Sequence, residues 1–308
     1  MPPSPLSSLL QRLRGAADSP AGPLAPGTRL GSVRIERLLA SGASGALYLA
    51  LDEADGTPLA VKALPLASPT DAQATAQSHE RFLAEARNAI GLHHPGIVAT
   101  YSAVALDGVG YLAMELLPGT DLSRYTRPAR LLPEPVALDI AAQLAQALAY
   151  AHREGVVHRD VKPANVMFDA ATQRVKLTDF GLARGADAQA TRSGVLLGSP
   201  AYMAPELLAG ARADARSDLY ALGVLLFELL TGRLPFEGAS MGTLLRAMAT
   251  QAPQSVQALR PDLPAAQGAA LDAVLAPVQA RDPAGRLGDG DAWARALRLA
   301  VPPGHSGF

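Results

Sequence analysis

Residues 156–168 read VVHRDVKPANVMF, and residues 176–183 continue the pattern with KLTDFGLA. The first stretch brings Asp160 and Asn165 into one short loop, and the second sets Asp179 in a loop that directly follows a predicted strand, Val175 to Leu177. A lone Asp or Asn in a loop usually makes a turn or caps a helix. Carboxylates, an amide and a lysine so close together are also the groups that a metal ion and a phosphate need.

These stretches resemble the catalytic segments of protein kinases, specifically the eukaryotic-type (Hanks-type) serine/threonine kinases of bacteria. The family's catalytic loop, H-R-D-L-x-x-x-N, is matched by His158, Arg159, Asp160 and Asn165, with Val161 in place of the leucine. Its D-F-G is matched by Asp179, Phe180 and Gly181, and its A-P-E by Ala204, Pro205 and Glu206. The resemblance covers roughly residues 27–299, and several short motifs in the right order make coincidence a poor explanation.

The resemblance implies a role for each polar residue in these motifs. Asp160 would accept the proton of the substrate hydroxyl, and Asn165 and Asp179 would hold Mg²⁺ ions that bridge the phosphates of ATP. Lys162 would steady the transferring phosphate and favours Ser or Thr over Tyr as the acceptor. Phosphoryl transfer depends on positioning and charge neutralisation, so this set of residues suits the reaction.

The family also expects a lysine on a strand and an acid on the following helix. Lys62 in LAVK, residues 59–62, matches the lysine. Glu85 in RFLAEARNAI is the matching acid, and Glu80 is the alternative; either could instead lie on a solvated helix face.

The stretch LASGASGALYLA, residues 39–50, has small residues at the spacing of a G-x-G-x-x-G phosphate loop. Alone it could be a plain turn between two strands, but its place ahead of Lys62 favours a nucleotide loop. Ala40 departs from the pattern, and we expect its methyl group to restrict positive φ and to stiffen the loop.

Further residues of the ATP site follow from the resemblance. Met114 in YLAMELLPGTDL would lie behind the adenine, although core packing would explain it too, and the backbones of Glu115 and Leu117 would pair with the adenine edge. Asp121 would meet a ribose hydroxyl or a basic substrate side chain. The remaining residues expected at the nucleotide are Ser41, Gly42, Gly45, Leu47 and Ala60.

Other matched residues have structural or regulatory roles in the family. Structural roles are implied for His158, Arg159, Phe180, Glu206, Asp218 and Arg286, with Asp218 bracing the catalytic loop and Arg286 pairing with Glu206. Thr191 and Ser193 are the expected activation-loop phosphosites, although both could be plain loop residues. Ser199 resembles a residue that bonds back to Asp160 and Lys162, His94 is expected to be structural, and His93 to lie at the surface.

Composition bounds the class of protein. The chain has 308 residues, 49% of them hydrophobic, which is enough for a sizeable core. A formal net charge of -1 argues against a generally basic nucleic-acid binder. No cysteine is present, so disulfides and thiol chemistry are excluded and a reducing cytoplasm fits. We expect no membrane segment, because the apolar run from Leu219 to Leu230 is short and carries Glu228.

Residue patterns predict a small strand-rich lobe followed by a larger helical lobe, and the resemblance implies the α+β, two-lobe fold of the protein-kinase type. We expect a flexible leader over residues 1–26, a strand-rich N-lobe over 27–115, a larger helical C-lobe over 116–299 and a polar tail over 300–308. Apolar spacing predicts a helix from Gln77 to Leu92 and strands from Ile97 to Val104 and from Tyr111 to Met114. Val136, Ile140, Leu144 and Leu148 mark another helix, and Trp293 is expected to pack a helix against the C-lobe.

The sequence thus predicts a kinase that uses ATP and Mg²⁺ on protein substrates, with autophosphorylation and a possible homodimer. A catalytically weak pseudokinase scaffold is the main alternative, and a small-molecule phosphotransferase is another. Lys62, Asp160, Asn165 and Asp179 are all present, which disfavours the first; the A-P-E segment and GSPAYM disfavour the second. With no sensor module apparent after the C-lobe, we expect regulation through the leader, a partner or the activation loop.

Overall fold

The computed structural model describes residues 24–42, 45–66, 72–180 and 199–301. These residues form two compact units. Unit 1 takes the residues up to His93 together with Val98–Leu117, and unit 2 takes His94–Ile97, Pro118–Phe180 and the residues from 199 onwards.

Unit 1 is an antiparallel sheet with one helix. The six strands lie in the order β1-β2-β3-β4-β6-β5. Their bounds are Arg29–Leu30 (β1), Val33–Gly42 (β2), Gly45–Asp52 (β3), Pro58–Pro65 (β4), Thr100–Leu106 (β5) and Val109–Glu115 (β6). The helix, α1, spans Ala72–Ile90. Alternation of side chains across the sheet divides its apolar residues into two clusters.

One cluster of unit 1 contains Ile35, Tyr48 and Val61, and the other contains Ala60, Leu112 and Met114. Phe82 and Ala86 of α1 belong to the second cluster, so the helix packs on that face of the sheet. The face that α1 covers is therefore the one that carries the side chains of alternate β4 residues, including Lys62.

Several element boundaries in unit 1 differ from those predicted, and the strand predicted from Tyr111 to Met114 spans Val109–Glu115. The helix spans Ala72–Ile90. It begins earlier than predicted because the Ala- and Gln-rich residues before Gln77 favour helix, although they carry no apolar stripe. The strand predicted from Ile97 begins at Thr100, since Ile97 bridges to Leu177 of unit 2.

The predicted leader also ends earlier than expected. Leu24 is buried in the first cluster, and its backbone N–H donates to the Tyr48 hydroxyl at 3.0 Å. Residues 24–26 therefore belong to the folded unit, although the sequence analysis placed them in the leader.

Unit 2 is mainly helical. Its helices are Glu134–Arg153 (α2), Pro205–Leu208 (α3), Ala215–Thr231 (α4), Met241–Thr250 (α5), Val256–Leu259 (α6), Ala265–Gln279 (α7) and Gly290–Leu299 (α8). A small antiparallel sheet has the order β7-β8-β9, with bounds Thr120–Asp121, Val166–Asp169 and Arg174–Leu177. The helix predicted from the four-residue spacing of Val136 to Leu148 is α2, and the strand predicted before Asp179 is β9.

Helix α4 is the buried centre of unit 2. Its apolar residues from Leu219 to Leu230 are buried on every face, as their all-round hydrophobicity predicts. Asp214 caps its N-terminus with a reciprocal capping box, and Gly232 ends it in the left-handed conformation at φ 70°. Trp293 of α8 is fully buried and donates from Nε1 to the Val274 carbonyl at 2.8 Å, which confirms its predicted packing role.

None of the helices in the described ranges is both long and apolar enough to cross a lipid bilayer.

A buried ion pair ties the A-P-E motif to the segment that follows α7. The guanidinium of Arg286 is fully buried, and its Nη1 and Nη2 donate to the two carboxylate oxygens of Glu206. It also donates to the carbonyls of Ala280 and Arg281 and lies 4.7 Å from the centre of the Tyr220 ring. Such a bidentate, fully bonded geometry is the one in which a buried pair is costly to break.

We expect Glu206→Gln to lower the free energy of unfolding by about 3 kcal/mol, because the buried Arg286 charge loses its counterion. Asp291→Asn is the matched control, since its pair with Arg153 is exposed and should be worth less than about 1 kcal/mol. Urea unfolding of both variants checks this. If both variants lost the same free energy of unfolding, burial would not make the Arg286–Glu206 pair more costly to break than an exposed pair.

Candidate active site

Asp160, Lys162 and Asn165 meet in unit 2. Lys162 Nζ lies 2.7 Å from Asp160 Oδ2, and Asn165 Nδ2 donates to the same oxygen at 2.8 Å. Asn165 Nδ2 also donates to the Asp160 carbonyl at 2.8 Å. Pro163 fixes the first residue of a short 3-10 helix, Pro163–Asn165, which turns the chain so that these groups converge.

The backbone brings Asp179 beside Asn165. The N–H and the hydroxyl of Thr178 both donate to the Asn165 carbonyl, at 2.9 and 3.1 Å. Asp179 itself has φ 65°, a conformation that costs a non-glycine residue free energy and that clusters at functional sites. The loop after β9 is thus held against the catalytic loop through the N–H and the hydroxyl of Thr178.

Asn165 and Asp179 form a donor set that fits Mg²⁺. Both protons of Asn165 Nδ2 are used on Asp160, which leaves the amide oxygen as its ligand atom. Within the described ranges no group of three or more His, Cys, Asp or Glu side chains could hold a metal. Mg²⁺ commonly uses one or two protein oxygens and takes the remainder from phosphates and water.

The carboxylate of Asp218, on α4, braces the catalytic loop. Its Oδ2 accepts the His158 N–H and its Oδ1 accepts the Arg159 N–H, each at 2.8 Å. Arg159 has φ 73°, so the peptide directly before Asp160 is held in a left-handed conformation by this carboxylate.

His158 links the two loops. Its Nε2 lies 2.8 Å from the Thr178 carbonyl, and its Nδ1 accepts the Asp160 N–H at 3.2 Å. Because a carbonyl can only accept, the proton of the neutral ring is on Nε2. Phe180 packs edge-on against the ring at 4.5 Å, so the residues on either side of Asp179 both contact His158.

The predicted phosphate loop is a hairpin of unit 1. Strands β2 and β3 flank it, Ser41 pairs with Ala46 and Gly42 with Gly45, and Ala43 and Ser44 lie outside the described residues. Leu47 stands opposite Ala40 on one side and opposite Lys62 of β4 on the other.

Glycine is required at only one of these positions in the described backbone. Gly45 has φ 112°, and a Cβ there would lie 2.1 Å from the Ala63 carbonyl oxygen. Ala40 is an exposed residue in the extended backbone of β2 and has no positive φ. The backbone at position 40 therefore does not need glycine, because an extended conformation accommodates any L-residue, and the effect of the Ala40 methyl group on the loop stays a prediction.

Lys62 and the helix α1 lie on one face of unit 1. Glu85 is half-buried beside the buried Ala86, whereas Glu80 is exposed. This placement favours Glu85 over Glu80 as the acid on the sheet-facing side of the helix.

Apolar residues expected around an adenine belong to one cluster of unit 1. Ala60 and Met114 are buried there, and Leu47 and Leu117 pack against them. The Glu115 N–H donates to the Ala99 carbonyl at 2.9 Å, so the carbonyl is the backbone group of Glu115 that could pair with a base. Asp121, in unit 2, accepts the Ser123 N–H at 2.9 Å and so caps the 3-10 helix Leu122–Tyr125.

Two histidines outside the motifs take structural positions. His94 accepts the Gly96 N–H at 3.0 Å and stacks on Tyr150 at 5.2 Å, and burial and the nearby Arg153 lower its pKa. His93 is exposed. Gly181, Thr191 and Ser193 lie outside the described residues, as does the side chain of Ser199.

Two contacts near the site were not predicted from the sequence. The hydroxyl of Tyr202, in the GSPAYM segment, donates to Glu228 Oε2 of α4 at 2.6 Å, and burial raises the pKa of both groups. His152, at the end of α2, lies 2.8 Å from Asp218 Oδ2. In each contact the two partners are far apart in sequence. The one signal in the sequence was that Tyr202 lies in the GSPAYM segment, which resembles the family's peptide-docking loop.

Comparison with known proteins agrees with this geometry. Residues 33–289 match the family model for the protein kinase domain. The chain is 38% identical to the serine/threonine-protein kinase PknJ of Mycobacterium tuberculosis, covering 90% of this chain and 47% of the relative. It is 36% identical to Pkn1 of Myxococcus xanthus (89% and 39%) and 34% identical to PrkC of Bacillus subtilis (82% and 38%), both serine/threonine-protein kinases.

The chain therefore spans less than half the length of these three relatives. Among solved structures, it has the fold of Rad53 residues 1–466 in complex with AMP-PNP, with a TM-score of 0.70 at 23% identity, covering 88% of this chain and 66% of that one. The chain belongs to the protein kinase family, within the eukaryotic-type serine/threonine kinases of bacteria.

Proposed function

We propose that this protein transfers the γ-phosphate of Mg-ATP to serine and threonine hydroxyls of proteins, including its own. The observation that carries the proposal is the convergence of Lys162 Nζ and Asn165 Nδ2 on one oxygen of Asp160. The bacterial relatives are named serine/threonine-protein kinases, and the Rad53 structure holds an ATP analogue, which supports ATP as the donor.

Asp160 acts on the substrate hydroxyl. Its Oδ2 is occupied by two donors, which orients the carboxylate and leaves Oδ1 to accept the hydroxyl proton. Lys162 also places a positive charge where the transferring phosphoryl group gathers negative charge.

Asn165 and Asp179 hold the metal through their side-chain oxygens. When bound, Mg²⁺ neutralises the charge of the β- and γ-phosphates. The two hydrogen bonds from Thr178 to the Asn165 carbonyl keep the two ligand residues together before any metal binds, so little reorganisation is needed.

Residues of unit 1 bind the nucleotide. Lys62 contacts its phosphates and is held by Glu85, and the backbone of the hairpin at Ser41, Gly42 and Gly45 covers them. The apolar surface formed by Leu47, Ala60, Met114 and Leu117 takes the adenine, with the Glu115 carbonyl and the Leu117 N–H at its edge. Asp121 binds the ribose or a basic substrate side chain through the carboxylate that also caps its helix.

Regulation falls on the segment between Asp179 and Glu206. Arg159 lies next to Asp160, and a phosphate on Thr191 or Ser193 would give its guanidinium a bidentate partner. Phosphorylation of one copy by another brings two copies together, so a transient homodimer is part of this proposal. A cytoplasmic location suits a chain without cysteine, and no nucleic acid is needed as partner.

We expect Asp179→Asn and Asp160→Asn each to reduce kcat by at least about 10²-fold, because one loses a metal ligand's charge and the other the proton acceptor. Labelled ATP and a protein acceptor measure this. Asp169→Asn is the matched control: its carboxylate bonds Ala171 and Thr172 in a turn and should be dispensable. Near-normal transfer by the folded Asp179 variant would contradict the kinase assignment.

Two changes in the hairpin should have opposite outcomes. We expect Gly45→Ala to raise the KM for ATP by about tenfold or more, since the added Cβ would collide with the Ala63 carbonyl. Ala40→Gly should change KM by less than about threefold, because its backbone is already extended. Steady-state kinetics in ATP distinguishes them, and a large gain from Ala40→Gly would mean that the methyl group damps the enzyme.

Mass spectrometry of the active protein should find phosphate on Thr191 or Ser193, and the Asp160→Asn variant should lack it. The double variant T191A/S193A should lose activity towards an added protein, because Arg159 would lack its anionic partner. Full activity of that double variant would rule out the switch while leaving the catalytic assignment intact.

A further inference from the structure

The segment between β7 and α2 carries a concentration of positive charge. Residues 122–133 contain Arg124, Arg127 and Arg130 and no acidic residue, in a chain whose 27 Lys and Arg are balanced by 28 Asp and Glu. These arginines are exposed, and within the described ranges none of their side chains has an ion pair or a hydrogen bond. Because like charges on one short segment repel each other, an anionic partner would stabilise this segment.

Gly232 brings this segment to the end of α4. It has φ 70°, and a Cβ there would lie 2.7 Å from the nitrogen of Pro128. Glycine therefore allows an approach that any other residue would block, and it sets Arg127 and Arg233, the chain neighbours of the two contacting residues, on one patch. Arg233 is exposed, and its side chain has no partner among the described residues. We call Arg127, Arg130 and Arg233 the arginine rim.

Hydrogen bonds fix the backbone of the arginine rim. The Arg130 N–H donates to the Arg127 carbonyl at 2.8 Å, which closes the 3-10 turn Pro128–Arg130. The hydroxyl of Thr231 accepts the Arg233 N–H at 3.2 Å. A partner that binds the rim therefore has to order side chains but not the main chain, which lowers the cost of binding.

The arginine rim borders an open cavity of about 580 Å³ within unit 2. Arg233 and Pro128 line this cavity, and its apolar walls include Leu131, Leu132 and Leu259, which are half-buried. A cavity of this volume is in the range of ligand pockets in proteins. A bound segment could place an apolar side chain in the cavity and charged side chains against the rim.

The other arginine of the cavity is already neutralised. Arg260 donates to the Leu230 carbonyl and to Glu134 Oε1, each at 2.7 Å, and pairs with Asp262 Oδ2 at 2.8 Å. Two carboxylates thus balance its charge. The positive charge that remains available beside the cavity is that of the arginine rim.

The composition of the cavity favours an acidic protein segment over other polyanions. Guanidinium groups bind carboxylates in bidentate fashion. The side chain of Asp262 is 61% exposed and would repel an anionic lipid surface or a polyphosphate backbone laid across the cavity. Among the described residues that line the cavity there is no aromatic ring on which a nucleic-acid base could stack.

The small sheet of unit 2 connects the rim segment to the catalytic loop. Thr120 of β7 pairs with Phe168 of β8, and Tyr125 packs edge-on against the Phe168 ring at 5.8 Å. Strand β8 directly follows the 3-10 helix that ends at Asn165. A segment held at the arginine rim is therefore held by the same unit as Asp160.

We propose that the arginine rim and its cavity form a docking site for an acidic segment of protein substrates, in which Asp or Glu side chains accompany an apolar one. The inference rests on the proposed kinase function and deepens it, because it assigns a class of substrate and a site away from the catalytic residues. Docking of this kind stabilises the ground state and the transition state equally, so it lowers the KM for the substrate and leaves kcat unchanged.

Two acceptor peptides test the preference. They share one serine acceptor and a leucine-containing tail, which carries Asp and Glu in one peptide and Asn and Gln in the other. At about 0.15 M salt, we expect the KM of the wild-type protein to be about tenfold lower for the acidic tail. The variant R127Q/R130Q/R233Q should raise that KM to the value for the amide tail, with kcat within about twofold.

The matched control is R174Q/R246Q/R295Q. It removes the same charge from exposed arginines of unit 2 whose side chains have no partner among the described residues. We expect it to change the KM for the acidic-tail peptide by less than about twofold, because these arginines lie outside the rim. Urea unfolding checks that both triple variants are folded under assay conditions.

Fluorescence anisotropy supplies a readout that does not depend on activity. A labelled acidic-tail peptide without an acceptor hydroxyl should bind the wild-type protein saturably and bind R127Q/R130Q/R233Q about tenfold more weakly. The charge-reversed variant R127E/R130E/R233E should instead prefer a peptide with a lysine tail. Such a reversal is expected of direct charge pairing and not of a loss of structure.

Several outcomes would overturn the docking proposal. Equal losses in the rim and control variants would assign the effect to net charge, and a wild-type protein that binds neither peptide saturably would leave the rim without this role. Rim-dependent binding of phosphatidylserine vesicles or of poly(U) RNA, without binding of the acidic peptide, would assign the surface to a membrane or to nucleic acid. A wild-type protein that binds the acidic peptide but transfers no phosphate would instead contradict the kinase proposal, while the binding of an acidic segment would stand.

Discussion

The buried carboxylate of Asp218 is the constraint on which the site depends. It is 1% exposed and accepts three hydrogen bonds, two of them from the backbone of the catalytic loop. A carboxylate removed from water needs such donors, so the loop must bring the N–H groups of His158 and Arg159 to α4. To bring these N–H groups to α4, Arg159 adopts a left-handed backbone conformation, which costs free energy. Asp160 is the next residue, so this conformation sets the direction of the chain at Asp160.

The packing of unit 2 restrains the helix that carries the Asp218 carboxylate. Helix α4 is buried over most of its length and capped at both ends. Its Glu228 accepts the Tyr202 hydroxyl, and the guanidinium of the Arg286–Glu206 pair lies over the ring of its Tyr220. These two contacts join the GSPAYM segment and the A-P-E motif to α4. The A-P-E region is therefore fixed to the same helix that holds the catalytic loop. Preorganisation of this kind lowers the reorganisation needed at the moment of transfer.

Sequence patterns predicted the parts of this arrangement that leave a local signature. The apolar run from Leu219 to Leu230, the strand before Asp179 and the two strands around the hairpin are set by periodicity and turn residues. The pairing of Asp160 with Lys162 and Asn165 follows from their sharing one loop. Periodicity could not extend α1 back to Ala72, because that turn has no apolar stripe, nor place Leu24 in the core, because a single leucine in a Pro- and Gly-rich stretch carries no pattern.

Polar contacts between residues far apart in the chain could not be predicted from the sequence. His152 and Tyr202 bind partners on α4 through one hydrogen bond each, and nothing in their neighbours distinguishes them from surface residues. The glycine pattern of the hairpin also overstates the backbone requirement: the strand is extended at Ala40, and among the described positions of the pattern Gly45 is the one that has a positive φ.

The most direct test of the account is phosphoamino acid analysis of the wild-type protein after incubation with γ-labelled ATP. The arrangement of Asp160, Lys162, Asn165 and Asp179 predicts label on serine or threonine that requires Mg²⁺ and is abolished by a chelator. Binding of ATP with no label on protein at saturating nucleotide and magnesium would contradict the assignment of these four residues to phosphoryl transfer.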